Sequence, residues 1–157
     1  VVKATADIAE HSDVTDREKE ILLLAAWFHD IGYLKQGKDH EEEGSRVVEN
    51  FLRDHNYPEA DILLVQHCIM ATRMPQQPRN KLEEIICDAD LIHLADHQYL
   101  NHCENLRTEW GRRNDFHVSD EEWIKSNKLF LEKHNFFTDY ARQKYGQIVE
   151  ETRESWS

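Results

Sequence analysis

The sequence has few residues that interrupt helices and few that cross-link a chain. It contains 5 glycines and 3 prolines among 157 residues, so long stretches carry no residue that would break a helix. Its 3 cysteines form no C-x-x-C motif, and their odd number argues against a disulfide framework. A reducing cytoplasm suits such a chain best, and we expect a cytoplasmic location. No apolar run approaches the roughly 20 residues that span a bilayer, so neither a membrane segment nor a signal peptide is predicted.

Cationic side chains are also scarce. The sequence has 19 Lys and Arg residues against 31 Asp and Glu residues, which gives a formal net charge of −12. Such an acidic protein does not offer a broad nucleic-acid-binding surface, although a local basic pocket can still hold one phosphate. Hydrophobic residues make up 39% of the chain, which is enough for a core. The 10 histidines are the compositional excess that points to chemistry.

Helical periodicity fills almost every segment between the glycines and prolines. Thr15 and Glu18 form a capping box that predicts a helix over about residues 16–31, ended by Gly32. Further helices are predicted for residues 1–10, about 39–54, 58 to before Pro75, from Asn80 onward, about 119–134 and from Thr138. No segment alternates with the period of two that a half-buried strand requires. The sequence therefore predicts an all-α fold.

We expect residues 1–157 to form a single domain, with a core over about residues 1–98 and a C-terminal helical extension over about residues 99–157. Val1 already lies within a helical pattern. We therefore expect the N-terminal part of the first helix to lie upstream of this sequence.

Two adjacent polar residues, His29 and Asp30, follow the apolar stretch over residues 21–28. An aspartate in the last turn of a helix faces the negative end of the helix dipole, which costs about 0.3–1 kcal/mol. Burial among Trp27, Phe28 and Ile31 would raise that cost. A divalent metal ion bound by both side chains removes the penalty. The alternative is a core histidine beside a surface aspartate.

Two further acids, Asp88 and Asp90, are predicted in the middle of the helix that Asn80 starts. Aspartate is a poor helix former and is costly to bury unpaired, so its presence twice on an apolar helix is unusual. The two acids lie on opposite flanks of the apolar stripe, and the helical period does not choose between them. Two solvated acids are the alternative.

His40 is predicted in the first turn of the helix over about residues 39–54. The positive end of the helix dipole disfavours an imidazolium there, so the ring is expected to stay neutral and able to bind a metal ion. A solvated histidine at the start of a helix is the alternative.

These residues resemble the HD superfamily of metal-dependent phosphohydrolases, whose signature is His…His-Asp…Asp. The doublet stands in AAWFHDIGY at residues 25–33 and the distal acid in ICDADL at residues 86–91. The family's metal-binding aspartate follows an alanine and precedes an apolar turn, which matches Asp90 rather than Asp88. The resemblance also includes residues 40–43, 71–75, 106–110 and 130–134, and so covers nearly the whole chain. The family's first histidine would lie about one turn before Val1, outside this sequence.

The resemblance implies a divalent metal ion bound by His29, Asp30 and Asp90. Magnesium, manganese, iron, nickel and zinc all suit such ligands, and the set does not choose among them. His29 and Asp30 are the implied catalytic residues, with Asp30 orienting or deprotonating the attacking water. Branches of the superfamily with two metal ions use further histidines. His40 matches the first by spacing and His67 lies one turn before the second, so a second metal ion remains an alternative to a mononuclear site.

The implied function is hydrolysis of a nucleotide or another small phosphate ester by metal-activated water. Arg73 is the first candidate to bind the phosphate, followed by Lys35 and Lys38, and a solvated surface cation is the alternative for each. Two other functions stay open: a non-catalytic nucleotide-binding or regulatory module, and a di-iron oxygenase. A homodimer is also left open.

Overall fold

The computed structural model describes residues 1–29, 40–73, 75–92, 108 and 119–155. Within these ranges the chain forms seven helices and no strand, so the all-α prediction is confirmed. The helices are α1 Val2–Glu10, α2 Asp16–Phe28, α3 His40–Asp54, α4 Glu59–Ala71, α5 Lys81–Asp90, α6 Asp120–Lys133 and α7 Asp139–Ser155. None of the helices in the described part is long and apolar enough to cross a membrane.

The chain divides into two compact units, Val1–Leu91 and Ile92–Ser157. In the first unit, α4 packs on α2, α3 and α5, while α5 also packs on α1 and α2. In the second unit, α6 packs on α7. The predicted extent of an HD core up to about residue 98, with the remaining residues as its extension, stays a prediction.

Local side-chain caps mark the starts of α2 and α5. The Thr15 hydroxyl accepts a hydrogen bond from the Glu18 backbone N–H at 3.1 Å, and the Glu18 carboxylate accepts one from the Thr15 N–H at 2.9 Å. This is the predicted capping box of α2. Asn80 caps α5 in a similar way, because its Oδ1 accepts from the Glu83 N–H at 3.0 Å. Both helix starts therefore agree with the sequence prediction.

The core of the first unit is formed by apolar faces of its helices, among them those of α2 and α5. On α2 the predicted row of Leu22, Ala25, Ala26 and His29 is buried, and on α5 so are Leu82, Ile85, Ile86 and Ala89. Trp27 does not belong to this core, because 71% of the residue is exposed. Trp27 stands on the helix face opposite the buried row, where the helical period leaves it in solvent.

Helices α2 and α5 each end at a candidate metal ligand. Helix α2 ends at Phe28 with His29 as its C-cap, rather than at about residue 31 as predicted. Helix α5 ends at Asp90, so Asp88 and Asp90 lie in its last turn and not in its middle. The backbone N–H of Leu91 closes that turn on the carbonyls of Cys87 and Asp88. No glycine or proline lies within the twenty residues after Asp90 to signal this end in the sequence.

Candidate metal centre

His29 is held in a fixed orientation at the end of α2. The residue is 4% exposed, and its Nδ1 lies 2.8 Å from the carbonyl oxygen of Ala26. A carbonyl oxygen only accepts hydrogen bonds, so Nδ1 carries the hydrogen. In a neutral ring the lone pair is then on Nε2, which is the atom left to bind a metal ion.

Asp90 approaches this same nitrogen from the end of α5. Its Oδ1 lies 3.1 Å from His29 Nε2. A lone pair and a carboxylate oxygen at that distance repel each other unless positive charge lies between them. Either a proton, which makes the ring an imidazolium, or a cation bound by both atoms makes the contact favourable.

The separation of the two atoms fits shared coordination of one metal ion. Two N and O ligands at 2.0–2.2 Å from a metal, at tetrahedral or octahedral angles, lie about 2.8–3.6 Å apart. The 3.1 Å between His29 and Asp90 falls within that range. In the described part of the chain, no three His, Cys, Asp or Glu side chains form a group that could hold a metal ion. Asp30, the third predicted ligand, lies outside the described residues.

The two acids of α5 have different surroundings. The Asp90 side chain is 22% exposed, whereas Asp88 is fully buried. The alternative of two solvated acids is therefore wrong for Asp88. The acid that lies beside His29 is Asp90, which is also the one that the family resemblance favoured.

The remaining predicted metal ligands are less fully described. His40 is the first residue of α3, but its side chain lies outside the described part. His67 lies half-buried on α4 and lines an open cleft. A second metal ion at His40 and His67 stays a prediction.

The cleft lies along the C-terminal half of α4 and the segment that leads to α5. Its volume is about 500 Å³, and its lining includes His67, Met70, Arg73, Pro75, Arg79 and Glu83. Arg73, the first predicted phosphate-binding residue, is exposed there, with its Nη1 3.7 Å from a Glu42 carboxylate oxygen. Lys35 and Lys38 lie outside the described residues. Neither Arg79 nor Glu83 was predicted as a site residue, because their spacing of four residues predicts only a surface ion pair at a helix start.

The HD domain family model matches residues 1–95, which is more than half of the chain. The chain belongs to the HD domain family. His29, Asp90 and the whole cleft lie within the matched part of this HD domain.

A curated relative of the HD domain is the bifunctional uridylyltransferase/uridylyl-removing enzyme of Psychrobacter sp. (strain PRwf-1). The two sequences are 36% identical over 89 residues, which is 54% of this chain and 10% of the relative. The chain thus spans about a tenth of the relative's length. No solved structure matches the chain closely enough to count as similar.

Proposed function

We propose that this HD domain is a metal-dependent phosphohydrolase that acts on a nucleotide or another small phosphate ester. The observation that supports it best is the 3.1 Å approach of His29 Nε2 to Asp90 Oδ1. The proposed metal ligands are these two residues and Asp30, and membership of a family of metal-dependent hydrolases supports the same function. When bound, a divalent ion lowers the pKa of a water molecule and polarises a phosphoryl oxygen.

The protein's own residues prepare this chemistry. The hydrogen bond from His29 Nδ1 to Ala26 fixes the tautomer and directs Nε2 towards Asp90. Burial of His29 keeps the ring from rotating away, because neighbouring side chains fill the surrounding space. Asp30, next in the chain, is proposed to orient the attacking water and accept its proton.

Binding of the substrate's phosphate is proposed for Arg73, with Lys35 and Lys38 as further candidates. A guanidinium group offers a planar set of donors that matches a phosphate. The contact between Arg73 and Glu42 is exposed and 3.7 Å long, so it competes only weakly with a phosphate ligand. The name of the curated relative includes the removal of uridylyl groups, which supports a phosphoester that carries a nucleotide as the substrate class. A cytoplasmic location and a homodimer stay predictions.

The function can be tested on the natural full-length protein. We would determine bound metals by elemental analysis, then screen nucleotides and phosphate esters with added Mn²⁺ or Ni²⁺ and measure released phosphate. We expect one metal ion per chain and metal-dependent turnover. Because removal of even an indirect partner of a metal ligand costs 10–100-fold, Asp90→Asn is expected to lower turnover at least about 100-fold.

Asp54→Asn is the matched control, because Asp54 ends α3 just as Asp90 ends α5. The control should keep full activity. Nucleotide binding without turnover under any metal would favour a non-catalytic module and overturn the proposal. Two iron ions per chain with oxygen consumption would favour an oxygenase instead.

A further inference from the structure

The cleft beside α4 contains a second arginine, Arg79, which the proposed function does not use. Its Nε donates to Glu83 Oε1 at 3.4 Å. The other Glu83 oxygen accepts from Asn80 Nδ2 at 2.7 Å, and the Glu83 backbone N–H is capped by Asn80. The Glu83 side chain is 3% exposed. Arg79 is thus tied to a buried carboxylate whose position is fixed by the start of α5.

This contact uses only one edge of the Arg79 guanidinium. Among the described residues, Arg79 hydrogen-bonds through Nε, and its side chain is 70% exposed. The two Nη groups are therefore available to a ligand in the cleft, whose lining includes Arg79. A guanidinium that is already oriented loses less conformational entropy when it binds an anion than a mobile one does.

The charges around the cleft allow an anion to bind despite the acidic composition of the protein. Arg73 and Arg79 both line it, and Glu83 is the acid in the same lining. The Glu83 carboxylate is already engaged by Arg79 and Asn80. An anion in the cleft would therefore face a lining that carries two guanidinium groups, and guanidinium groups are the side chains that phosphate recognition favours.

The size and the other walls of the cleft point to an organic ligand rather than a bare phosphate. Met70, Ala71 and Pro75 supply an apolar wall. The volume of about 500 Å³ lies within the range of about 300–1,000 Å³ that small-molecule sites occupy. A ligand with one anionic end and a flat or apolar body would bury both kinds of surface.

We propose that the cleft binds an organic phosphate through Arg73 and Arg79 together, with Glu83 as the residue that positions Arg79. The identification of this ligand with the substrate rests on the proposed function, whereas the binding itself does not. Arg79 would thus be a determinant of affinity for the anionic group, and the apolar wall would select the organic part.

Binding can be measured by isothermal titration calorimetry on metal-free full-length protein, so that no ligand is hydrolysed. The probes are the four ribonucleoside monophosphates, with adenosine and orthophosphate as controls for the organic and anionic parts. We expect at least one monophosphate to bind more tightly than either control. Loss of a charged hydrogen bond in Arg79→Gln should weaken its binding at least about tenfold.

Arg53→Gln is the matched control, because Arg53 is an exposed arginine bound to Glu59, as Arg79 is to Glu83, but it lies outside the cleft lining. The Arg53→Gln variant should bind the monophosphates as tightly as the natural protein does. Glu83→Gln should weaken binding less than Arg79→Gln does. In an Arg79→Gln background, Glu83→Gln should not weaken monophosphate binding any further, because a positioning residue acts only through its partner. A purely structural role for Glu83 would instead give additive losses.

Unchanged monophosphate affinity in Arg79→Gln overturns the proposal, and so does the absence of any monophosphate binding to the natural protein at millimolar concentration. The outcome is independent of turnover. If phosphate esters are hydrolysed but Arg79→Gln binds normally, the cleft assignment fails and the proposed function survives. If Arg79→Gln loses binding but the natural protein hydrolyses no ester, the cleft assignment survives and the proposed function fails.

Discussion

His29 Nε2 and Asp90 Oδ1 lie 3.1 Å apart at the point where α2 and α5 both end. Each helix points its C-terminus, and so the negative end of its dipole, towards this pair. Two dipole ends and a carboxylate therefore gather negative potential around the Nε2 lone pair. A divalent cation would relieve all of these contributions at once, which supports the proposal that a metal ion binds at His29 and Asp90.

Metal binding should stabilise the folded protein. A ligand at 100 times its dissociation constant adds about 2.7 kcal/mol to the free energy of unfolding. For a chain of this size, that corresponds to a rise in Tm of roughly 5–10 °C. We expect added Mn²⁺ or Ni²⁺ to raise Tm by this amount in differential scanning calorimetry, and EDTA to reverse the rise.

The same measurement on two variants tests the assignment of Asp90. Asp90→Asn should fold without metal yet show almost no metal-dependent rise in Tm. Asp54→Asn removes a carboxylate from the end of another helix, α3, and should keep the full rise. An equal rise in both variants would show that the stabilising metal binds elsewhere.

His29→Ala should abolish metal-dependent hydrolysis while leaving helicity largely intact, because it removes the Nε2 ligand from a core that otherwise persists. We expect the same loss of activity from Asp30→Ala. The measurements are released phosphate and far-UV circular dichroism. His29→Asn is a useful companion, because its side-chain amide can still donate to the Ala26 carbonyl but has no counterpart of Nε2. Activity that survives any of these changes contradicts the proposed ligand set.

The helix starts could be predicted from the sequence because their causes are local. Thr15 with Glu18, and Asn80 with Glu83, each form a cap within four residues. The end of α5 could not be predicted in this way. No glycine or proline lies within the twenty residues after Asp90, so the sequence carries no local signal for the helix end that the structure shows.

The candidate site was accessible to sequence reasoning only in part. Periodicity placed His29 on the buried face of α2, but it could not choose between Asp88 and Asp90, and the resemblance to the HD superfamily supplied that choice. Arg79 was missed because a surface arginine near a glutamate is usually a solvated pair. What distinguishes Arg79 is the burial of Glu83 and the neighbouring cleft, and both depend on packing that no short pattern encodes.

Asn80→Ala should destabilise the protein through the loss of the α5 cap. An N-cap asparagine is worth about 1 kcal/mol, and the bond from Asn80 Nδ2 to Glu83 is lost as well. We expect a lower urea midpoint with an unchanged m-value. Asn80→Ser keeps a hydroxyl that can cap the helix and should lose less stability. Equal midpoints for Asn80→Ala and the natural protein would mean that packing alone fixes the start of α5.

Cys68 and Cys87 should be unreactive in the folded protein. Both are buried and free, and Cys87 Sγ donates to the Ala71 carbonyl at 3.1 Å. Burial, the largest cause, raises the pKa of each thiol to about 12, so almost no thiolate exists at neutral pH. In a Cys103→Ser background, iodoacetamide at pH 8 should label these thiols only under denaturing conditions, as measured by mass spectrometry. Rapid labelling of the native protein would contradict their burial.

The same two thiols should make the protein less stable at high pH. Their folded-state pKa of about 12 lies above the ordinary value of 9.0, so the unfolded chain loses its thiol protons first as the pH rises. Their contribution to stability is therefore complete below about pH 9 and is lost as the pH rises towards 12. The free energy of unfolding should fall by up to about 1.4 kcal/mol per pH unit for each thiol in that window. Urea unfolding between pH 8 and pH 11 should show a shallower fall for Cys68→Ala/Cys87→Ala in the Cys103→Ser background than for Cys103→Ser alone. Because lysine and tyrosine titrations are common to both variants, equal slopes would mean that the buried thiols do not control the alkaline stability.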